Sequence, residues 1–432
     1  MKRYLYYCVL FIVVSLFYSC TETETQESLI ISGSPITKSE DDMPSFNYQF
    51  SDSYGAMCQY WNDNEGLIKE MKACEDGNEK LDMLQISKDL LSKMETVSLA
   101  ELCYTFPLAY DIFASNDENT ATEFYIGNFD GLKELSLRED GATCLLSLYN
   151  QVNNDGEHPD LRKKYLKRIL QTKTFQSRLT DKQKKQLNQS FQYNPNVGAV
   201  TEMLESDVAV TFYTRFHQSV TAYIINDEFN PSQIDSLNDY VVDTYHVTLV
   251  GDASKKYNCH AYAWLNNAGQ SYWLDSYDVT KYFTNDLYTS CTANRAERIY
   301  YYCGDHSALP YDSSHYISKW GNLGLCIHTP TNVPAIYYPS YRSYYRDDVE
   351  ISGPDYYVPG NTYVYTVTPY MSYATYEWYI DQPDNRYEII SINNNVLTVK
   401  LLNNNLIYDV YCNVKSSSGY VAKQLMFETL YQ

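Results

Sequence analysis

The sequence predicts a multidomain α+β protein in three parts: an N-terminal helical, repeat-like domain, an α+β middle domain and a C-terminal all-β sandwich. Three observations carry that expectation. The 432 residues give length for two to four domains. Apolar spacing is helical from about residue 80 to 190, the composition turns toward strand formers near 205, and the pattern alternates strongly from about 347 to the end. Apolar residues make up 44% against 20% charged, far from the composition that keeps a chain unfolded. The formal charge of −21 argues against nucleic acid as a partner, because nucleic-acid binders present a basic footprint. Tyrosine is the compositional extreme, 46 residues against 15 Phe and 5 Trp. A ring that packs on one side and hydrogen-bonds on the other suits half-wet surfaces and hints at an extracytoplasmic protein.

The N-terminus supports the same compartment. Lys2 and Arg3 precede the apolar run Leu10 to Phe17, which reads as a secretory signal over 1–19 and is too short to span a bilayer. Leu16-Phe17-Tyr18-Ser19-Cys20 resembles a bacterial lipobox, departing from it in the large Tyr18. That resemblance implies cleavage before Cys20 and lipid chains on its thiol and new amine; the other reading is a simple secretory peptide cut near Cys20. More than one chain makes such attachment stable. Residues 20–43 then form a polar, aperiodic tether, so an outer-membrane lipoprotein of the cell envelope, periplasmic or surface-exposed, is expected.

Over 44–205 the elements read as short antiparallel helices. Leu84, Leu91 and Met94 recur at helical steps, and Ser98 with Glu101 reads as a capping box. Runs at Leu132–Leu135, Cys144–Leu148 and Tyr165–Leu170 follow, with a polar break at Asn153-Asp155-Gly156. Arg162 to Lys185 is strongly basic and reads as solvated helix faces in preference to an anion-binding patch. The middle domain, 206–346, opens with strand formers at Val208–Tyr213, Val220–Ile225 and Val241–Val250. In 347–432, Tyr363, Tyr365 and Val367 share one face, as do Tyr408, Val410, Cys412 and Val414. Turns at Pro359-Gly360-Asn361, Asn393–Asn395 and Ser416–Gly419 separate strands at sandwich spacing. This last segment resembles immunoglobulin-like or PKD-like domains, without the immunoglobulin cysteine pair.

Eleven cysteines need placing. Cys8 leaves with the signal and Cys20 is the acylation candidate, which leaves an odd number and at least one free thiol. Cys291, Cys303 and Cys326 either pair among themselves or lie buried. No cysteines are spaced as in a zinc ribbon and the histidines are scattered, so neither a metal nor another cofactor is expected.

Chemistry concentrates between 245 and 335. In Tyr257-Asn258-Cys259-His260-Ala261-Tyr262, Asn258 is a good N-cap and places Cys259 in the first turn of a helix. Unpaired amides and the helix dipole there favour an anion, the first requirement of a cysteine nucleophile. Arg298–Cys303 reads as a strand, Gly304-Asp305 as a turn, and His306 opens the next strand, where a rigid frame holds an imidazole base. A third group must orient that imidazole; Ser318, Lys319 and His315 on the following strand, or His328 beyond it, are the candidates. His260 points about 100° away from Cys259 on a helix and reads as a surface or packing residue.

The arrangement resembles the papain-like, NlpC-type cell-wall endopeptidases, in which a cysteine starts a helix, a histidine starts a core strand and a polar residue follows on the next strand. The resemblance implies that Cys259 is the nucleophile and His306 the base, with the third position near Ser318 and Lys319, where the family pattern has other residues. It implies a cysteine peptidase or amidase acting on peptide or cell-wall substrates, peptidoglycan stem peptides foremost. A reading of a different class is an inactive surface lipoprotein, a binding or adhesion scaffold whose helical and Ig-like domains meet a protein or glycan partner. An active enzyme of the first kind needs Cys259 accessible and within hydrogen-bond reach of His306; a scaffold needs neither.

Overall fold

Short helices fill the first part because the sequence supplies starts and breaks at close intervals. The computed structural model describes residues 59–152, 159–189, 207–265, 271–284, 286–404, 407–417, 419 and 421–432. Cys20, the signal-like run and the tether lie outside the described residues. Helices at Gly77–Met83 and Glu118–Asn128 begin on aspartates, Asp76 and Asp117, whose side chains accept backbone N–H groups of the first turn. The expected capping box at Ser98 is displaced. The helix runs Thr96–Tyr104 with Glu95 at its N-cap, so Ser98 and Glu101 are interior. Helices at Gly141–Gln151 and Pro159–Gln171 complete the bundle. Their apolar faces meet in a core with Leu99, Leu102, Leu132, Leu145, Leu166 and Ile169 fully buried and Phe106 stacked on Phe129 at 4.0 Å. Each such side chain contributes roughly 1.5–3 kcal/mol.

The middle part holds two sheets. Val208–Tyr213, Ser219–Ile224 and Trp273–Leu274 pair antiparallel in that order. Seven further antiparallel strands lie in the order Thr248–Gly251, Leu325–His328, Tyr316–Lys319, His306–Pro310, Arg298–Tyr301, Arg342–Arg346 and Thr289–Ser290. The strand reading of Val241–Val250 is corrected in its first half. Asn230 and Gln233 form a capping box, Pro231 opens a helix that runs to Tyr245, and left-handed His246 ends it before the strand at Thr248. Helical spacing outweighs the β-propensity of Val241 and Val242 there.

The last part is two four-stranded sheets packed face to face. Tyr365, Val367, Leu397 and Val399 of one meet Trp378, Val410, Cys412 and Val414 of the other in a common core. The alternation expected along Tyr363–Val367 and Tyr408–Val414 is the buried face in each case. Tyrosine is a core residue here as well as a surface one. Buried Tyr365 shares a hydrogen bond with Thr429 at 2.8 Å, and buried Tyr408 donates to the Arg386 carbonyl at 2.7 Å.

The described residues pack as one compact unit. Helical and middle parts are tied by buried polar contacts: the Asp111 carboxylate accepts from Tyr240 and Tyr245 hydroxyls at 2.7 Å each, and the Asn322 N–H donates to the Phe113 carbonyl at 2.8 Å. Gly321 makes that approach. Its φ is +52°, and a Cβ there would lie 2.2 Å from the Ala114 carbonyl oxygen. Among the described residues no cysteine is in a disulfide bond, Cys291, Cys303 and Cys326 included. No described helix is long and apolar enough to cross a membrane.

Candidate active site

The Asn258 cap is made as the sequence suggests, and it does more than cap. Its side-chain oxygen accepts the Ala261 N–H at 2.9 Å and the Leu274 N–H at 3.1 Å, while its amide donates to the Leu274 carbonyl at 2.9 Å. The start of the Cys259–Trp264 helix is thereby clamped to the strand beside it. Cys259 is the first helical residue and is 1% exposed.

The pairing of Cys259 with His306 is not made. Successive side chains of the His306–Pro310 strand alternate between faces. Ser307 turns toward the cysteine helix and meets His260 and Trp264, whereas His306 turns the other way. It stacks on Tyr337 with ring centroids 3.8 Å apart, fully buried, and neither ring nitrogen has a hydrogen-bond partner among the described residues. Burial above all, with the charge of His260, holds this imidazole well below its ordinary range, so it is neutral.

His260 occupies the place that the sequence reading reserved for His306. It is fully buried, which excludes the surface alternative expected for it and leaves the packing one, here with both ring nitrogens in polar contacts. One ring nitrogen lies 2.8 Å from the Ser307 hydroxyl and the other 3.0 Å from the Asp305 carboxylate. Burial pulls the ring down, but the adjacent Cys259 sulfur and the Asp305 carboxylate outweigh it and hold it up to about 10. At neutral pH it is an imidazolium. Burial raises the Asp305 carboxyl and the charge of His260, with its hydrogen bond, more than reverses this, leaving the group well below the ordinary carboxylate range. Asp305 itself sits at φ +46° in the turn before the strand, a conformation Asp tolerates better than most residues.

The sulfur has a further neighbour that lies outside the middle domain. The Asn116 amide approaches the Cys259 sulfur at 3.6 Å through its nitrogen and 3.8 Å through its oxygen, and donates to the Asp305 carbonyl at 3.0 Å. Asn116 is 8% exposed and stands just before the helix at Glu118. Thiol, imidazole and amide thus form a buried cluster, closed at one edge by the half-exposed Asp305 carboxylate.

The remaining candidates lie apart from it. The Ser318 hydroxyl is shared between His328, at 2.8 Å, and the Trp320 indole N–H, at 3.0 Å. His328 donates its one ring proton from the other nitrogen to the Thr329 carbonyl at 2.8 Å, so it is a neutral structural histidine that burial pushes down to about 4. Lys319 is fully buried and spends its ammonium protons on the carbonyls of Ser254, Gly321 and Leu323. It pins a loop, and burial lowers it to about 7 despite the nearby Cys326, Glu228 and Cys259. His315 lies on an exposed turn with Asp312. Within the basic stretch, Lys164 and Arg168 close on the carboxylate of Glu118 at 3.0 and 2.7 Å, so these two do not form a solvated face. Among the described residues no group of three or more His, Cys, Asp or Glu is placed to hold a metal ion.

Sequence reasoning missed His260, Asp305 and Asn116. The first two adjoin residues it had chosen, and the Gly304-Asp305 turn was visible. Asn116 carried no local signal beyond a helix start. Comparison of the chain with protein-family models, with characterised proteins and with solved structures gives no match.

Proposed function

We propose that the protein is a cysteine hydrolase of amide bonds in peptides, tethered to the cell envelope as a lipoprotein through Cys20, with peptidoglycan peptides as the favoured substrate class. The observation that supports it is the cluster of a free helix-start thiol beside an imidazole held on a carboxylate. In this reading the base is His260, with Asp305 orienting it, and the roles expected for His306, Ser318 and Lys319 are not retained. Cys259 attacks the carbonyl carbon as thiolate, forming the S–C bond as the carbonyl electrons move to oxygen. Collapse breaks the C–N bond while the His260 imidazolium gives its proton to the leaving amine. Water then attacks the thioester, neutral His260 takes its proton, and the thiolate leaves.

Three observations favour the inactive scaffold instead. Both conditions set above for an active enzyme fail, since Cys259 is 1% exposed and His306 faces away from it, and both His260 nitrogens are engaged elsewhere. The test is cleavage of peptidoglycan-derived peptides, followed by mass spectrometry, with native protein, Cys259→Ala, His260→Ala and His306→Ala. The hydrolase reading expects no cleavage by Cys259→Ala, a loss of about 100-fold or more in His260→Ala and little change in His306→Ala. Cleavage surviving in Cys259→Ala, or absent from the native chain, refutes it.

A further inference from the structure

A cleft with room of about 120 Å³ opens beside the cluster. Its lining includes Asn116, Glu118 and Lys164 from the helical part and Asp227, Lys255 and Trp273 from the middle part, but not Cys259. The Asn116 side chain therefore has the cleft on one side and the cysteine sulfur, at 3.6 Å, on the other. On this side Asn116 stands between the cleft and the thiol, while the half-exposed Asp305 carboxylate borders solvent at another edge of the cluster.

The segment carrying that wall is held by its neighbours. Phe113 and Ala114 carbonyls accept from the Asn322 N–H at 2.8 Å and the Tyr337 hydroxyl at 2.5 Å. Glu118 accepts from Asn322 at 3.0 Å as well as from Lys164 and Arg168. The Asn116 side chain itself is held by Asp305: its contacts to sulfur are long, and its amide donates to the Asp305 carbonyl at 3.0 Å and to the Asp305 carboxylate at 3.3 Å. Uncovering the sulfur from this side requires rotating the side chain out of both bonds, with the backbone on either side pinned.

The walls also restrict what enters. Lys255 pairs with Asp227 and Glu118 pairs with Lys164 and Arg168, so fixed charges of both signs line the space, together with Trp273. An acyl chain would strand these charges without water. A polyanion would meet the acidic groups of both walls. An amphoteric ligand can exchange partners with each pair.

We propose that this cleft is the approach to Cys259, that Asn116 is its gate, and that the occupant is a short peptide segment bearing both an ammonium and a carboxylate. The proposal rests on the hydrolase reading only in making the thiol the destination of the cleft, so its test reads alkylation and not turnover. Full-length native protein, Asn116→Ala and Asn116→Ser are treated with iodoacetamide near neutral pH, and each thiol is followed by mass spectrometry. Asn116→Ala should raise the rate at Cys259 at least ten-fold, and Asn116→Ser by less, while buried Cys103, Cys144 and Cys326 stay unlabelled as the check on folding. Zwitterionic trialanine should protect Cys259 in Asn116→Ala, and its N-acetylated, C-amidated form should not.

An unchanged Cys259 rate, or a rise shared by the other buried thiols, overturns the gate. Equal protection by the two peptides, or none by either, overturns the ligand class. Faster alkylation in a protein that cleaves no peptide leaves the gate standing and removes the hydrolase reading instead.

Discussion

Asp111 gives the sharpest thermodynamic test of how the helical and middle parts are joined. Its carboxylate is fully buried and accepts hydrogen bonds of 2.7 Å from Tyr125, Tyr240 and Tyr245, two of which come from the middle part. Burial raises the group more than these hydroxyls and the nearby Lys80 lower it, and it is pushed up from 3.8 to about 6. Between those two values the folded chain keeps a proton that the unfolded chain has lost, so stability falls as pH rises through this window. The whole difference corresponds to about 3 kcal/mol, of which about 1.4 kcal/mol appears between pH 7.5 and pH 5.0. Asp111→Asn removes the titration while keeping the shape. Urea unfolding of both proteins at the two pH values isolates the term: the stability of native protein relative to Asp111→Asn should rise by about 1.4 kcal/mol at pH 5.0. Parallel pH profiles for the two proteins would refute the assignment of a buried, titrating carboxylate at this joint.

Gly321→Ala places a Cβ 2.2 Å from the Ala114 carbonyl at a φ of +52°, and should cost about 2 kcal/mol or more in urea unfolding. A change below 0.5 kcal/mol would show that the 113–116 segment is not held where described. Lys319→Met leaves the carbonyls of Ser254, Gly321 and Leu323 without their common donor and should destabilise by about 3 kcal/mol, measured the same way. If Lys319 is instead chemical, Lys319→Met will keep its stability and lose turnover. Cys20→Ala should release the protein from membranes or block its maturation, read by fractionation. A variant still membrane-bound and processed at the same site would end the lipoprotein proposal.

Much of the local structure was legible because it follows from near-neighbour rules. Period-two spacing marked the buried faces of Tyr363–Val367 and Tyr408–Val414, and a polar residue before an apolar run marked the Cys259 helix. Where the reading failed locally, two near-neighbour signals competed. Val241 and Val242 favour strand, but Asn230-Pro231 and Gln233 had already committed the segment to a helix whose buried face includes Leu237 and Val241. Asp111, an acid in a helical stretch, gave no hint that three tyrosines would surround it.

The sequence by itself determined which residues stand at element starts: Cys259 at a helix N-terminus, Asp305 in a turn and His306 at the head of a strand. It could not determine which face of that strand meets the helix. Alternation makes the choice binary, and only packing against Tyr337 on one side and the Cys259–Trp264 helix on the other resolves it, in favour of Ser307 over His306. Asn116 was further out of reach. It is 143 residues from Cys259, and what brings its amide to the sulfur is the closure of one part of the chain on another, through contacts that no periodicity encodes.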